Sequence, residues 1–285
     1  MTEDSLKVHQ PSDIQLGRIA YRRGKAIRSV LVAAVSTAVV GVLLVVAITG
    51  APGWQRVKSS FFDASIARKY LPDILEGLWL NIRLFAVCAA CALLLGLIAS
   101  VLRTLRGPVF FPVRALATIY TYSFRGLPLI ITIYLFAFGI PGLRLQGTPN
   151  VTVLGGAAIT ITYGSYIAEV LRAGIESVHP SQMAAARSLG LSYRQSMRHV
   201  VLPQAVRRAS PALLNDVVSM QKDVGLISLA GPIDAIRAAQ IGSAESANFT
   251  PYVVAGVLFV LFALPLIGVT DFVTLRAARR QNAGT

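Results

Sequence analysis

Six apolar runs, each about as long as a bilayer is thick, divide this chain, and basic residues gather at their ends. A hydrocarbon layer of roughly 30 Å takes about 20 apolar residues in a helix. Inside it, every backbone polar group must find its partner within the protein. A chain patterned this way is confined to a bundle of membrane-crossing helices. The runs cover 29–49, 74–102, 109–142, 151–170, 211–229 and 251–273. With 54% hydrophobic and only 14% charged residues, an ordinary soluble domain is excluded.

The third run is longer than one crossing needs. Arg125, Gly126, Leu127 and Pro128 interrupt it, because the proline lacks an N–H and the glycine is flexible. This predicts a tilted lead-in over 110–124 and the crossing itself over 127–140. The polar stretch up to Pro72 has an amphipathic look and is expected along the outer interface, with Trp54 and Tyr70 near headgroup level. Arg83, inside the second run, is expected to snorkel outwards. Gly155, Gly156 and Gly164 permit close helix packing in the fourth.

Orientation follows from the charges. Of the 27 Lys and Arg residues, 18 fall on the side that holds both termini, six on the other and three (Arg83, Arg125, Lys222) within runs. Positive charge stays inside, so both termini are expected in the cytoplasm. The net charge of +14 is thus accounted for by topology, with no nucleic acid required. Cys88 and Cys91 lie inside an apolar run and are read as packing residues. No phosphate-cradling GxxxxGK[ST] loop is present, and the three histidines have no metal-ligand spacing.

Two polar stretches stand out from the apolar background. The first, 179–203, is basic, with Arg187, Arg194, Arg198 and His199, and Arg207 and Arg208 just beyond it. Pro180 and Ser181 predict a helix start with Ser181 as N-cap, Gly190 a bend, Ser192 a second cap and Pro203 the end of the second helix. The second stretch lies in the fifth run. There Asn215, Asp216, Ser219, Gln221, Lys222 and Asp223 interrupt an apolar span, and such groups face a bundle interior or a wet cavity. Asp216, Ser219 and Asp223 share one helix face, while Asn215 and Lys222 are offset from it. Either they form a functional face or they lock helices together; Arg125 is likewise either a site residue or an interfacial anchor.

Several ordered motifs then bear on identity: Gly77-Leu78-Trp79-Leu80-Asn81-Ile82, Arg125-Gly126-Leu127-Pro128, YIAEVLRAGI over 166–175, QMAAARSLG over 182–190, Leu202-Pro203-Gln204-Ala205 and the span from Asn215 to Leu226. Together they resemble the permease subunits of binding-protein-dependent ABC importers for polar amino acids, the histidine, glutamine and arginine type. The resemblance implies an all-α type I importer domain of about six transmembrane helices in the bacterial plasma (inner) membrane. Its core spans 74–276, preceded by a cytoplasmic tail (1–28) and by an extra first helix with an external segment (29–73), and followed by a tail (277–285). It implies two cytoplasmic ATPase subunits, which carry ATP and Mg, a second permease subunit and an extracytoplasmic solute-binding protein that contacts 146–150 and 231–248. The permease itself would hold no cofactor and no catalytic site.

In that family a coupling helix docks on the ATPase, which points here to Ser181, Gln182, Ala184, Ala185, Arg187, Leu189 and Gly190. Asn215, Asp216, Ser219, Lys222, Asp223 and Arg125 are the candidates for the solute path. The chain departs from the family pattern at Ala184, where a glutamate is usual, and at Val224-Gly225, where two hydroxyl residues are usual. With Ser181 as cap, Ala184 is the position at which a glutamate would complete a capping box. Two other readings stand beside this one. One is an ion-driven secondary transporter with Asp216 or Glu169 as proton carrier, the other a membrane scaffold that transports nothing.

Overall fold

Helix α1 (Asp13–Thr49) opens the described part of the chain and carries the first apolar run. The computed structural model describes residues 13–282 apart from 106 and 145; the side chains of 13, 15–16, 18–20, 22–23 and 277–282 lie outside the description. Two units are distinguished, Met1–Ser59 and Ser60–Thr285. The first contains α1, whose apolar side chains over 24–49 are exposed, and most of the short α2 (Trp54–Phe61). The helix already begins 16 residues before the first apolar run, so part of the stretch read as a hydrophilic tail is helical.

In the second unit the amphipathic stretch and the second crossing are one continuous helix, α3 (Ala64–Thr104), instead of two elements. Asp63 caps it, its Oδ1 accepting from Ser65 N–H at 2.9 Å and Ile66 N–H at 3.2 Å. Pro72 is inside the helix. A proline there costs about 3 kcal/mol, but Tyr70, Ile74 and Leu78 on the same stretch are buried against Ala235, Ala238, Ala239 and Ala255. Tertiary packing thus outweighs the local break.

The centre of the bundle is α3 against α7 (Val151–Glu176), where Cys88, Ala92, Ala158, Ile159, Tyr163 and Ile167 are almost completely enclosed. Lipid tails are as apolar as these side chains, so helix association here draws on close packing of small residues more than on the hydrophobic effect. Between these helices, α4 (Phe111–Gly126) and α5 (Leu129–Tyr134) meet at a bend, and the segments Phe111–Gly126 and Leu129–Gly142 lie at 109° to each other. The break falls at Leu127, whose extended backbone is what a following proline demands. A π-helical turn (Leu135–Gly139) and the one-turn α6 (Ile140–Gly142) complete the segment.

The basic stretch forms α8 (Pro180–Ser188), a turn at Gly190 with φ 84°, and α9 (Tyr193–Ser196). Only glycine takes that φ without strain. Ser192 caps α9 as expected, and Gln195 completes a reciprocal capping box. Two expectations fail. The N-cap of α8 is His179, whose Nδ1 accepts from Ser181 N–H at 3.2 Å, so the third helical position belongs to Gln182 and not to Ala184. Nor does Pro203 end a helix: α9 continues through a π turn (Met197–Val201) into α10 (Leu202–Asp223). The wide turn leaves space for the proline ring, and position 203 has no N–H to lose.

A short 3-10 segment (Val224–Ala230) follows. The stretch 231–248, expected as an outer loop, instead contains α11 (Ala235–Ser246), packed between α3 and α12 (Thr250–Asn282). Asp234 caps α11 and is completely buried. Among the described residues four helices are long and apolar enough to cross a membrane, six when each bent pair is one crossing. This agrees with the six expected spans.

Candidate functional site

The polar face of α10 is only half covered by the bundle. Met220, Gln221 and Val224 are fully buried on the packed side, and Gln221 Nε2 donates to the Phe259 carbonyl of α12 at 3.4 Å. Asp216, Ser219 and Asp223 lie half-buried on the other side, whereas Asn215 and Lys222 are exposed. This is the division the helix spacing predicts. Lys222 makes no ion pair among the described residues.

Opposite α10, α7 supplies two residues not singled out from sequence for this role. Tyr163 donates from its hydroxyl to Asp223 Oδ2 at 2.7 Å, and its ring meets that of Tyr166 edge-on at 5.3 Å. Both tyrosines are within electrostatic reach of Asp216 and Asp223. Arg125, at the end of α4, acts on Asp216 and Tyr166 in the same way. Asp216 Oδ2 is enclosed and meets no donor among the described residues. Of the predicted set, the structure therefore brings Asp216, Asp223 and Arg125 together around the α7 tyrosines, has Ser219 half-buried on the same face of α10, and leaves Asn215 and Lys222 exposed. The recurrence of polar and aromatic groups every three residues along α7, Thr160, Tyr163, Tyr166, Glu169 and Arg172, was the available signal for Tyr163, but its apolar neighbours hid it.

Beside this polar face, Glu169 ties three helices together. Its carboxylate accepts from Arg103 of α3 at 2.8 Å and Arg172 at 2.5 Å, and lies 3.5 Å from Arg125 of α4. Arg172 also pairs with Glu176. Arg103 and Glu169 side chains are only 5% and 15% exposed. Removing one member of such a pair leaves a poorly solvated charge and typically costs 3–5 kcal/mol. Glu169→Gln is expected to destabilise the bundle by about 3 kcal/mol, read as a lower thermal midpoint of the detergent-solubilised chain; an unchanged midpoint would reduce the cluster to surface pairing.

The second candidate region is α8. Ala186 is buried, and Met183 packs with Ile175 and Met197 around Val178, Val201 and Ala205. Arg208 donates to the Ser177 carbonyl at the root of α8, and Gln204 Nε2 donates to Gln182 Oε1 at 3.3 Å. Held in this way, α8 presents Ser181, Gln182, Ala184, Ala185 and Arg187 to the exterior, and Leu189 at its end is 82% exposed, beside the Gly190 turn. All seven predicted docking residues thus lie on one projecting element. Among the described residues no group of three or more His, Cys, Asp or Glu is placed to hold a metal ion.

The bundle thus carries a half-buried polar face on α10 and an exposed helical knob at α8. The chain belongs to the family of binding-protein-dependent transport system inner membrane components, whose pattern matches residues 92–279. It is similar to the arginine transport system permease protein ArtQ of Bacillus subtilis (strain 168), 32% identical over 209 residues, 72% of this chain and 91% of that one. The probable glutamine ABC transporter permease protein GlnM of the same organism is 34% identical over 199 residues, 68% of this chain and 89% of the other. A solved structure of an amino acid ABC transporter with histidines superposes with a TM-score of 0.68 at 28% identity, covering 76% of this chain and 98% of that one. The MetNI methionine ABC transporter, at 18% identity and a TM-score of 0.52, shares the fold. The chain is thus an importer permease subunit, of a kind that works with ATPase and solute-binding partners.

Proposed function

We propose that the chain carries a polar amino acid, or a similar small amphoteric solute, along the polar face that α10 turns to α7, driven by ATPase subunits docked on α8. The observation that carries this reading is the placement of opposite charges on one half-buried polar face, with Arg125 in electrostatic reach of Asp216. An amphoteric solute bears a carboxylate and an ammonium a few bonds apart. Arg125 suits the first and Asp216 with Asp223 the second, while Tyr163 and Tyr166 offer hydroxyls and ring faces between them. Relatives named for arginine and glutamine transport point to the same solute class. Both termini and α8 are then cytoplasmic, and ATP with Mg stays on the partner subunits. The solute-binding protein meets the opposite side, over 146–150 and at the ends of α11.

The test is uptake of labelled amino acids by vesicles holding this chain with its partner subunits and binding protein. Asp216→Asn is expected to raise the KM for uptake roughly thirtyfold, the equivalent of one charge-assisted contact, while protein yield stays the same. Unchanged uptake would make the polar face a helix-locking device. Uptake that survives ATP depletion but collapses with an uncoupler would replace ATP by an ion gradient as the driving force.

A further inference from the structure

A groove of about 570 Å³ runs between α3 and α7 on the surface of the bundle, lined by none of the polar residues of α10. Its walls are largely apolar, with Leu84, Val87, Cys88, Val153, Ala157 and Ile161 among them. Arg83 stands at one end, exposed, its guanidinium 5.7 Å from the centre of the Trp79 ring. Among the described residues it forms no salt bridge, although Asp73, Glu76 and Glu245 line a neighbouring cavity that it also borders. We infer that this groove binds an anionic phospholipid, with one acyl chain along the groove and the headgroup phosphate on Arg83.

Depth supports this assignment. Arg83 precedes Arg103 by 20 residues, about 30 Å along a helix axis. That is roughly the thickness of the hydrocarbon layer. With Arg103 fastened to Glu169 at one boundary, Arg83 reaches the other. From there the groove follows α3 as far as Cys91 and α7 as far as Ile161, about 12 Å towards the bilayer centre. One leaflet of hydrocarbon is roughly 15 Å deep, so the groove matches a single acyl chain. Trp79 beside Arg83 is the usual companion of a headgroup level. A guanidinium fork matches phosphate oxygens, and since none of the carboxylates nearby is paired with Arg83, an anionic headgroup can serve as its direct counter-charge. A second copy packed here about a two-fold axis along the membrane normal would instead bring two Arg83 side chains together at the same depth, which is repulsive.

Trp79 is a built-in reporter, since the chain has two tryptophans and Trp54→Phe leaves it alone. The full chain with that change would be placed in vesicles doped with phosphatidylglycerol or phosphatidylcholine brominated high on the acyl chains. Phosphatidylglycerol is expected to quench Trp79 at about fivefold lower mole fraction, the ratio set by one basic residue at an anionic headgroup. Arg83→Gln should remove that preference and Arg83→Lys retain most of it. Ala157→Phe, which fills the groove but keeps the charge, should weaken quenching by both lipids. Equal quenching by both lipids with Arg83 intact would reduce the groove to ordinary boundary lipid. No quenching by either would show that a protein partner covers this face. Each result would overturn the inference.

Discussion

Leu189→Asp is expected to abolish ATP-driven uptake while the chain still folds and inserts. Leu189 ends α8 beside the Gly190 turn and is 82% exposed, so the change removes no internal packing. What it changes is the tip of the proposed docking element. Burying a leucine in a partner groove contributes about 1.5–3 kcal/mol, and putting an unpaired carboxylate there adds a desolvation cost. The two effects together weaken docking by more than about a hundredfold. Co-purification of the ATPase subunits and uptake in vesicles would both register the loss. Full uptake by this variant would place the ATPase contact elsewhere. Ala184→Glu offers a milder comparison: Ala184 lies beyond the first turn of α8, so a glutamate there gains nothing from capping and leaves coupling close to normal.

Gly77→Ala is expected to prevent the chain from being recovered as a monodisperse protein. At this point α3 passes so close to the start of α11 that a Cβ would lie 2.4 Å from the Ala235 nitrogen and from the Asp234 carbonyl carbon. Backbone atoms cannot turn aside as the end of a side chain can, so the helices must separate. Separation also pulls apart a fully buried pair. Asn81 Nδ2 donates to Asp234 Oδ2 at 3.0 Å, and Asn81 Oδ1 accepts from Ala235 N–H at 3.1 Å. Overpacking and the loss of these bonds together cost about 3 kcal/mol or more. Gly256→Ala in α12 is the control, because a Cβ there meets nothing within 4 Å. Equal thermal midpoints for the two variants in detergent would sink the idea.

The spans, the break at Leu127 and Pro128, the bend at Gly190 and the cap at Ser192 were legible in the sequence because each rests on local chemistry: run length, a missing N–H, a left-handed φ, a hydroxyl. Contacts made over long sequence separations were not. Nothing near Asn81 announces that it reaches Asp234, and the polar stretch around Asp234 read as a loop because the pairing that hides its charge comes from α3. The same holds for Tyr163, whose partner Asp223 is 60 residues away. Capping failed at α8 for a smaller reason. A histidine ring nitrogen took the part assigned to the serine two residues on, which moved every later position in the helix.

The π turn at Met197–Val201 bears on how the chain tolerates changes of length. A regular α-helix advances 100° per residue, so one inserted residue would swing everything beyond it by about that angle. A π turn takes up the additional residue locally and leaves the remainder in phase. Here it lies between the docking knob and the polar face of α10. The angular bearing of Asp216 and Asp223 relative to α8 is therefore the one that a chain shorter by one residue would have, so deleting one residue at this turn would leave the polar face aimed as it is.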